Sequence, residues 1–214
     1  MLDGVLIIDK PSGITSHDVV AKVRKALKTK KVGHTGTLDP LATGVLVVCV
    51  EKATKLVNYL TCDEKIYEVE MKLGIKTDTG DIIGNIIDED TNYKVTIKEA
   101  NEVIKSFVGK QKQIPPMYSA IKVNGQKLYE LARKGIEIER EPRDIEIFDI
   151  YNIEINNELI KYTVHCSKGT YVRSLCEDIA QRLGTIGTMT NLRRIKSGQF
   201  EIENAIKIDD ISEE

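Results

Sequence analysis

The chain contains no tryptophan, and aromatic residues fill only 5% of its 214 positions. It lacks any apolar run near the ~20 residues that a membrane-spanning helix needs. The longest, Val45-Leu46-Val47-Val48-Cys49-Val50, reads as a buried strand. Met1-Leu2-Asp3-Gly4 shows no basic stretch ahead of an apolar one, so no secretory signal is expected. The cysteines Cys49, Cys62, Cys166 and Cys176 form no Cys-x-x-Cys pair, and His17, His34 and His165 make no ligand-spaced cluster with them. Neither a zinc site nor a disulfide framework is expected; reduced core thiols in a cytoplasmic protein are. The chain has no Gly-x-Gly-x-x-Gly fingerprint and no Gly-Lys-Ser/Thr phosphate loop. It shows no internal repeat, low-complexity tract or clear linker.

Against these absences stand 41% hydrophobic and 30% charged residues, a globular composition with enough apolar content for a real core. The 31 basic and 33 acidic side chains leave a net charge of −2, which by itself argues against a nucleic-acid partner. Their distribution argues the other way. Val19 to Leu38 contains no acid but has Lys22, Arg24, Lys25, Lys28, Lys30 and Lys31. Lys105 to Tyr129 again has no acid, and Arg182, Arg193, Arg194 and Lys196 recur between Ile179 and Phe200. On a shared face these segments would hold a polyanion through phosphate contacts and counterion release. On separate faces they are merely solvated charge.

Hydrophobic periodicity outlines the elements. Val5 to Ile8 reads as a strand, and Ser16 as the cap of a helix with the stripe Val19, Val20, Val23 and Leu27. Tyr67, Val69, Met71, Leu73 and Ile75 alternate with polar residues, as in a half-buried strand. Thr96 and Glu99 form a capping box before Ala100, Val103, Ile104 and Phe107. Gly109 to Met117 reads as a loop and Asn124-Gly125 as a tight turn before a short helix. Two strands follow, near 145–153 and 159–166. A helix then places Val172, Leu175, Cys176, Ile179 and Leu183 inward and stops at Gly184. Without regular β-α alternation, the expected class is α+β with a mixed, mainly antiparallel sheet flanked by helices.

The most informative segment is Gly33-His34-Thr35-Gly36-Thr37-Leu38-Asp39-Pro40-Leu41-Ala42-Thr43-Gly44. Its glycines and proline suit a shaped loop rather than a helix or strand. Asp39 before Pro40 is either a carboxylate presented from a rigid turn or a turn residue capping local N–H groups. Arg173 falls in the first turn of its helix, where a cation opposes the macrodipole at a cost of roughly 0.3–1 kcal/mol. Either a buried carboxylate holds it there or it is an exposed arginine that tolerates the cost. Tyr67 is a stacking platform for a base or a core tyrosine. His34 contacts phosphate or a displaced base, or makes a backbone hydrogen bond. Tyr171 lines the pocket of Arg173 or packs the helix start.

Gly33 to Leu46 closely resembles the signature loop of the TruB family of tRNA pseudouridine synthases. Five further segments resemble family motifs in family order. These are the opening Gly4-Val5-Leu6 to Asp9-Lys10-Pro11 with Gly13, Thr15 and Ser16; Lys65-Ile66-Tyr67; Pro115-Pro116-Met117-Tyr118-Ser119-Ala120; Gly169-Thr170-Tyr171-Val172-Arg173; and Leu192-Arg193-Arg194.

The resemblance implies a pseudouridine synthase fold and isomerisation of uridine 55 in the T loop of tRNA, with neither cofactor nor metal. It implies Asp39 as the catalytic carboxylate, Tyr67 stacked on the target base, and Arg173 beside Asp39 holding it ionised. His34, Tyr171, Leu192 and Lys10 form the implied substrate-binding set. The partner expected is the T stem-loop of tRNA, not DNA or a membrane, and the chain is expected to act as a cytoplasmic monomer. Bacterial members usually carry a C-terminal PUA domain. Only about 20 residues follow Leu192-Arg193-Arg194 here, so a single catalytic domain over 1–214 without that domain is expected. Alternatives are the catalytic subunit of a guide-RNA-dependent pseudouridine synthase and a tRNA-folding chaperone.

Overall fold

The computed structural model describes residues 3–61 and 64–211. Cys62, one of the thiols considered above, lies outside them; Cys49, Cys166 and Cys176 are buried free thiols. In chain order the regular elements begin with β1 (Gly4–Lys10), α1 (Ser16–Ala26), β2 (Val32–Thr35), β3 (Thr43–Val50), β4 (Glu64–Leu73), β5 (Ile75–Thr77) and β6 (Ile86–Glu89). They continue with α2 (Ile97–Lys105), β7 (Gly109–Gln113), β8 (Lys122–Val123), β9 (Gln126–Lys127) and α3 (Leu128–Ala132). The last are β10 (Arg143–Asn156), β11 (Leu159–Ser167), α4 (Val172–Arg182), β12 (Gly187–Ser197), β13 (Phe200–Glu201) and β14 (Ile206–Lys207). The expected α+β class with a mixed, mainly antiparallel sheet is the one found. The chain divides into two compact units, residues 1–68 with 191–214, and residues 69–190.

In the first unit β3 is the central strand. β1 pairs with it antiparallel along its whole length, from Gly4↔Val50 to Lys10↔Gly44. Its other edge is shared. Arg193 and Arg194 of β12 lie parallel against Thr43 and Gly44, and β2 runs antiparallel against Val47 to Val50. A strand enclosed on both edges and both faces can be uniformly apolar, which accounts for the run Val45 to Val50. β14 joins β1 in parallel at Ile8↔Ile206. α1 buries Val19, Val20 and Val23 of the predicted stripe, while Leu27 is its C-cap and only half-buried.

In the second unit β10 and β11 form a long antiparallel pair closed at Asn156↔Leu159, and β7 lies antiparallel along the first part of β10. α4 buries Val172, Leu175, Cys176, Ile179 and Ala180. It ends at Gly184, whose φ of +76° is cheap only for glycine. The predicted tight turn is present, with Asn124 and Gly125 both at positive φ between β8 and β9.

Several expectations are corrected. The cap of α1 is Thr15, not Ser16; Thr15 and Asp18 form a reciprocal capping box. Ser16 is buried instead, because its hydroxyl is engaged by tertiary bonds. The loop beginning at Gly33 is shorter than expected, since Val32–Thr35 pairs as β2. Gly109–Gln113 is strand β7 rather than loop, a polar edge segment drawn into the sheet by β10. Ile75 starts a separate strand after Gly74, and β12 had no periodic signal at all.

Candidate active site

The first unit holds the signature loop. Pro40 sits second in a turn closed by the Ala42 N–H donating to the Asp39 carbonyl at 3.1 Å. Backbone groups on both sides of Asp39 are fastened to groups distant in sequence. Before it, the Ser16 hydroxyl accepts from the Leu38 N–H at 2.9 Å and donates to the Leu38 carbonyl at 3.1 Å. After it, the Gly13 N–H donates to the Pro40 carbonyl at 2.9 Å, and the Ser12 hydroxyl to the Leu41 carbonyl at 3.0 Å. The Lys10 ammonium donates to the carbonyls of Pro11, Pro40 and Ala42 at 2.9, 3.3 and 2.7 Å. Asp39 itself is half-buried.

Lys10 is fully buried, and loss of hydration pulls its pKa down to about 8. The Asp39 charge opposes that fall and the Arg194 charge adds to it. Arg194 is only 1% exposed. Its Nε donates to the Val45 carbonyl at 2.7 Å and its Nη2 to the Gly36 carbonyl at 3.0 Å, bracketing the loop at both ends. Arg193 makes a two-point ion pair with Asp9, at 3.1 and 2.9 Å. Gly44 is required where β3 passes β12. Its φ is +98°, and a Cβ there would lie 2.2 Å from the Arg194 carbonyl oxygen.

His34 lies on β2 opposite Val48, with its ring edge-on to the exposed His17 at 5.4 Å between centroids. Its Nδ1 is buried without a hydrogen-bond partner, and burial, with the charges of His17 and Arg194, pushes its pKa down. Tyr67 is 7% exposed on the inward side of β4, and Leu192 is buried on β12 with its carbonyl 3.5 Å from the Thr43 hydroxyl.

The second unit holds Tyr171 and Arg173. Arg173 is 5% exposed, so it is not the solvated arginine that sequence left open. Nη1 donates to the Thr79 carbonyl and Nη2 to the Tyr118 carbonyl, each at 2.7 Å. Gly80, at φ +75°, brings the 77–81 turn against this helix, and a Cβ on it would lie 3.5 Å from Arg173 Cβ. Tyr171 is half-buried at the cap position of α4 and offers no side-chain cap.

Sequence reading missed Ser12, Ser16, Arg194 and Gln113 as supports of these groups. Ser16 and Arg194 belong to the quoted opening and Leu-Arg-Arg motifs, which were a usable signal; Ser12 fell at an unspecified position of the first. Gln113 had none. No cluster of three or more metal-ligating side chains occurs among the described residues, and no helix among them is long and apolar enough to cross a membrane.

Two family models account for nearly the whole chain. The TruB family pseudouridylate synthase N-terminal domain matches residues 24–172, and the tRNA pseudouridylate synthase B C-terminal domain matches residues 173–214. The chain belongs to the TruB family of pseudouridylate synthases. It is similar to tRNA pseudouridine synthase B of Clostridium perfringens strain 13, at 53% identity over all of this chain and 73% of that protein. The corresponding protein of Clostridium tetani is 50% identical over all of this chain and 74% of its own length. Among solved structures it resembles a Cbf5–Nop10–Gar1 complex, with a TM-score of 0.76 and 35% identity over 97% of this chain and 53% of that one. An H/ACA ribonucleoprotein bound to a substrate RNA containing 2′-deoxyuridine gives 0.72 and 32%, over 97% and 51%. The TruB member described here is thus an isomerase that converts uridine to pseudouridine in tRNA.

Proposed function

We propose that the target is uridine 55 in the T loop and that Asp39 is the catalytic carboxylate. The observation that carries this reading is the fastening of the Asp39 loop. Buried donors hold the carbonyls of Gly36, Pro40, Ala42 and Val45, and Ser16 holds Leu38. A carboxylate so presented needs no loop rearrangement at the moment of reaction, which lowers the barrier to its chemical step. The reaction breaks the N1–C1′ bond, turns the base while it is bound, and forms the C5–C1′ bond, with a proton lost from C5 and one taken up at N1. Nothing is added or oxidised. One carboxylate suffices because the base returns to the same sugar, whereas glycoside hydrolysis needs two.

In this reading Tyr67 stacks on the target base, and Arg173 completes the catalytic set. His34, Tyr171, Leu192 and Lys10 form the substrate-binding region. For Lys10 the support is indirect, since its ammonium shapes the loop that meets the substrate. Residues 1–214 act as one catalytic domain, as a monomer in the cytoplasm, and the basic residues of α1 contact phosphates of the T stem. Extruding the base costs a few kcal/mol, offset by stacking and phosphate contacts.

The test uses unmodified tRNA transcript tritiated at uridine C5. Wild type should release close to one tritium per tRNA, in transcripts that retain uridine 55 and not in those with cytidine there. Asp39→Asn should release none. Release that persists in the Asp39→Asn protein, or that ignores position 55, would overturn the assignment. Activity that appears only when a guide RNA is added would favour the guided class instead.

A further inference from the structure

α4 begins without the usual device for satisfying its first backbone groups. Its cap residue, Tyr171, makes no side-chain capping bond, and its first turn contains no acid. The Gln113 side chain, at the end of β7, instead holds the backbone of the cap residue itself from outside the helix. Its Oε1 accepts from the Tyr171 N–H at 2.8 Å and its Nε2 donates to the Tyr171 carbonyl at 3.1 Å. The same carbonyl accepts the first intrahelical bond, from the Leu175 N–H at 3.1 Å. Gln113 is 5% exposed, so these bonds are made away from competing water.

Two antiparallel bonds from one planar amide set both the position and the orientation of the residue they hold. Tyr171 therefore enters the helix along a line that Gln113 sets. Arg173 stands two residues further on, and the segment that follows Gln113 fastens it as well. The Tyr118 carbonyl accepts from Arg173 Nη2, and the Ser174 hydroxyl reaches the Ile114 carbonyl at 3.4 Å. The loop from Gln113 to Tyr118 is thus stapled to α4 at the residues that carry the implied chemistry.

We propose that Gln113 is a positioning residue for pseudouridine formation, aiming Tyr171 and Arg173 through the Tyr171 backbone without touching the substrate. This rests on the reading of Arg173 and Tyr171 given above. It predicts a loss in the chemical step rather than in RNA affinity, because the phosphate-binding lysines stay as they are. An error near 1 Å in a catalytic group costs on the order of 100-fold.

The test compares wild type with Gln113→Met, which keeps the bulk and removes both bonds, and Gln113→Glu, which keeps only the acceptor for the Tyr171 N–H. Tritium release is measured for each, together with hydrogen exchange of the segment 169–174. Gln113→Met should lower kcat by about 10- to 100-fold with KM for tRNA within about 3-fold of wild type. Exchange at 169–174 should rise about 10-fold while residues 176–182 stay protected. Gln113→Glu should fall between the two. A folded Gln113→Met with unchanged kcat would overturn the inference, as would a loss of activity that only tracks the unfolded fraction. Should Gln113→Met not fold, Gln113→Glu decides: unchanged kcat overturns the proposal and a several-fold loss at constant KM supports it. An inactive wild type would count against the proposed reaction, and the exchange readout alone would then judge Gln113.

Discussion

Lys10 couples pH to the shape of the Asp39 loop. An ammonium offers three donors, and all three go to carbonyls in or beside that loop. An amine offers two donors and a lone pair, which one of those carbonyls would repel. As pH rises through about 8 the ammonium is lost and the loop loosens, so single-turnover tritium release should decline. Stability should move the other way. The folded chain releases this proton near 8 and the unfolded chain near 10.5, so between those values the unfolded state binds more protons. The contribution of Lys10 to stability therefore rises with pH across that window. A Lys10→Met protein should lose both trends, seen as a flat rate profile in that range and a flatter urea midpoint against pH. A wild-type rate that holds steady to pH 9.5 would contradict this account.

At the scale of elements, the crossing of β3 and β12 is the joint that sets the loop. Gly44 there combines a φ of +98° with backbone 2.2 Å from its absent Cβ. Neither can be relieved by a rotamer change. Gly44→Ala should destabilise the chain by upwards of about 2 kcal/mol, measured by urea unfolding. Gly125→Ala should cost less, because only its positive φ is at issue and nothing lies within 4 Å of its added Cβ. The elements also show how far periodicity reaches. The stripes of α1 and α4, the capping box of α2 and the alternation of β4 were legible because each is a local pattern repeated over several turns or pleats. β2 and β7 were not, because short segments containing glycine or lysine become strands only when a neighbour supplies the ladder. The capping position was displaced by one residue because Thr15 and Ser16 are both cap types and Ser is the more favoured of the two. Ser16 was taken by Leu38, which is 22 positions away.

For the molecule as a whole, net charge is a poor guide to its partner. At −2 it would be indifferent to tRNA, yet α1 and the turn after it expose Lys22, Arg24, Lys25, Lys28 and Lys30. If those lysines contact phosphates, replacing both Lys22 and Lys25 with Gln should weaken tRNA binding. It should also flatten the slope of log affinity against log salt by about 1 to 2. kcat at saturating tRNA should stay near wild type. An unchanged slope would move the phosphate contacts elsewhere.

The sequence by itself determined the family, the α+β class and the identity of the candidate carboxylate. Each is carried by residues adjacent in the chain: Asp39 within its glycine-rich loop, Arg173 three positions after Thr170, and Tyr67 after Lys65-Ile66. Only the tertiary structure decided what holds those residues in place. Lys10 reaches the carbonyls of Pro40 and Ala42, Arg194 reaches Val45 and Gly36, and Gln113 reaches Tyr171, across separations of 30 to 158 positions. A buried polar side chain must find partners wherever folding brings them, and no local pattern records where that will be. The residues proposed for the chemistry could therefore be named from the chain, while those that fasten them became visible only once it was folded.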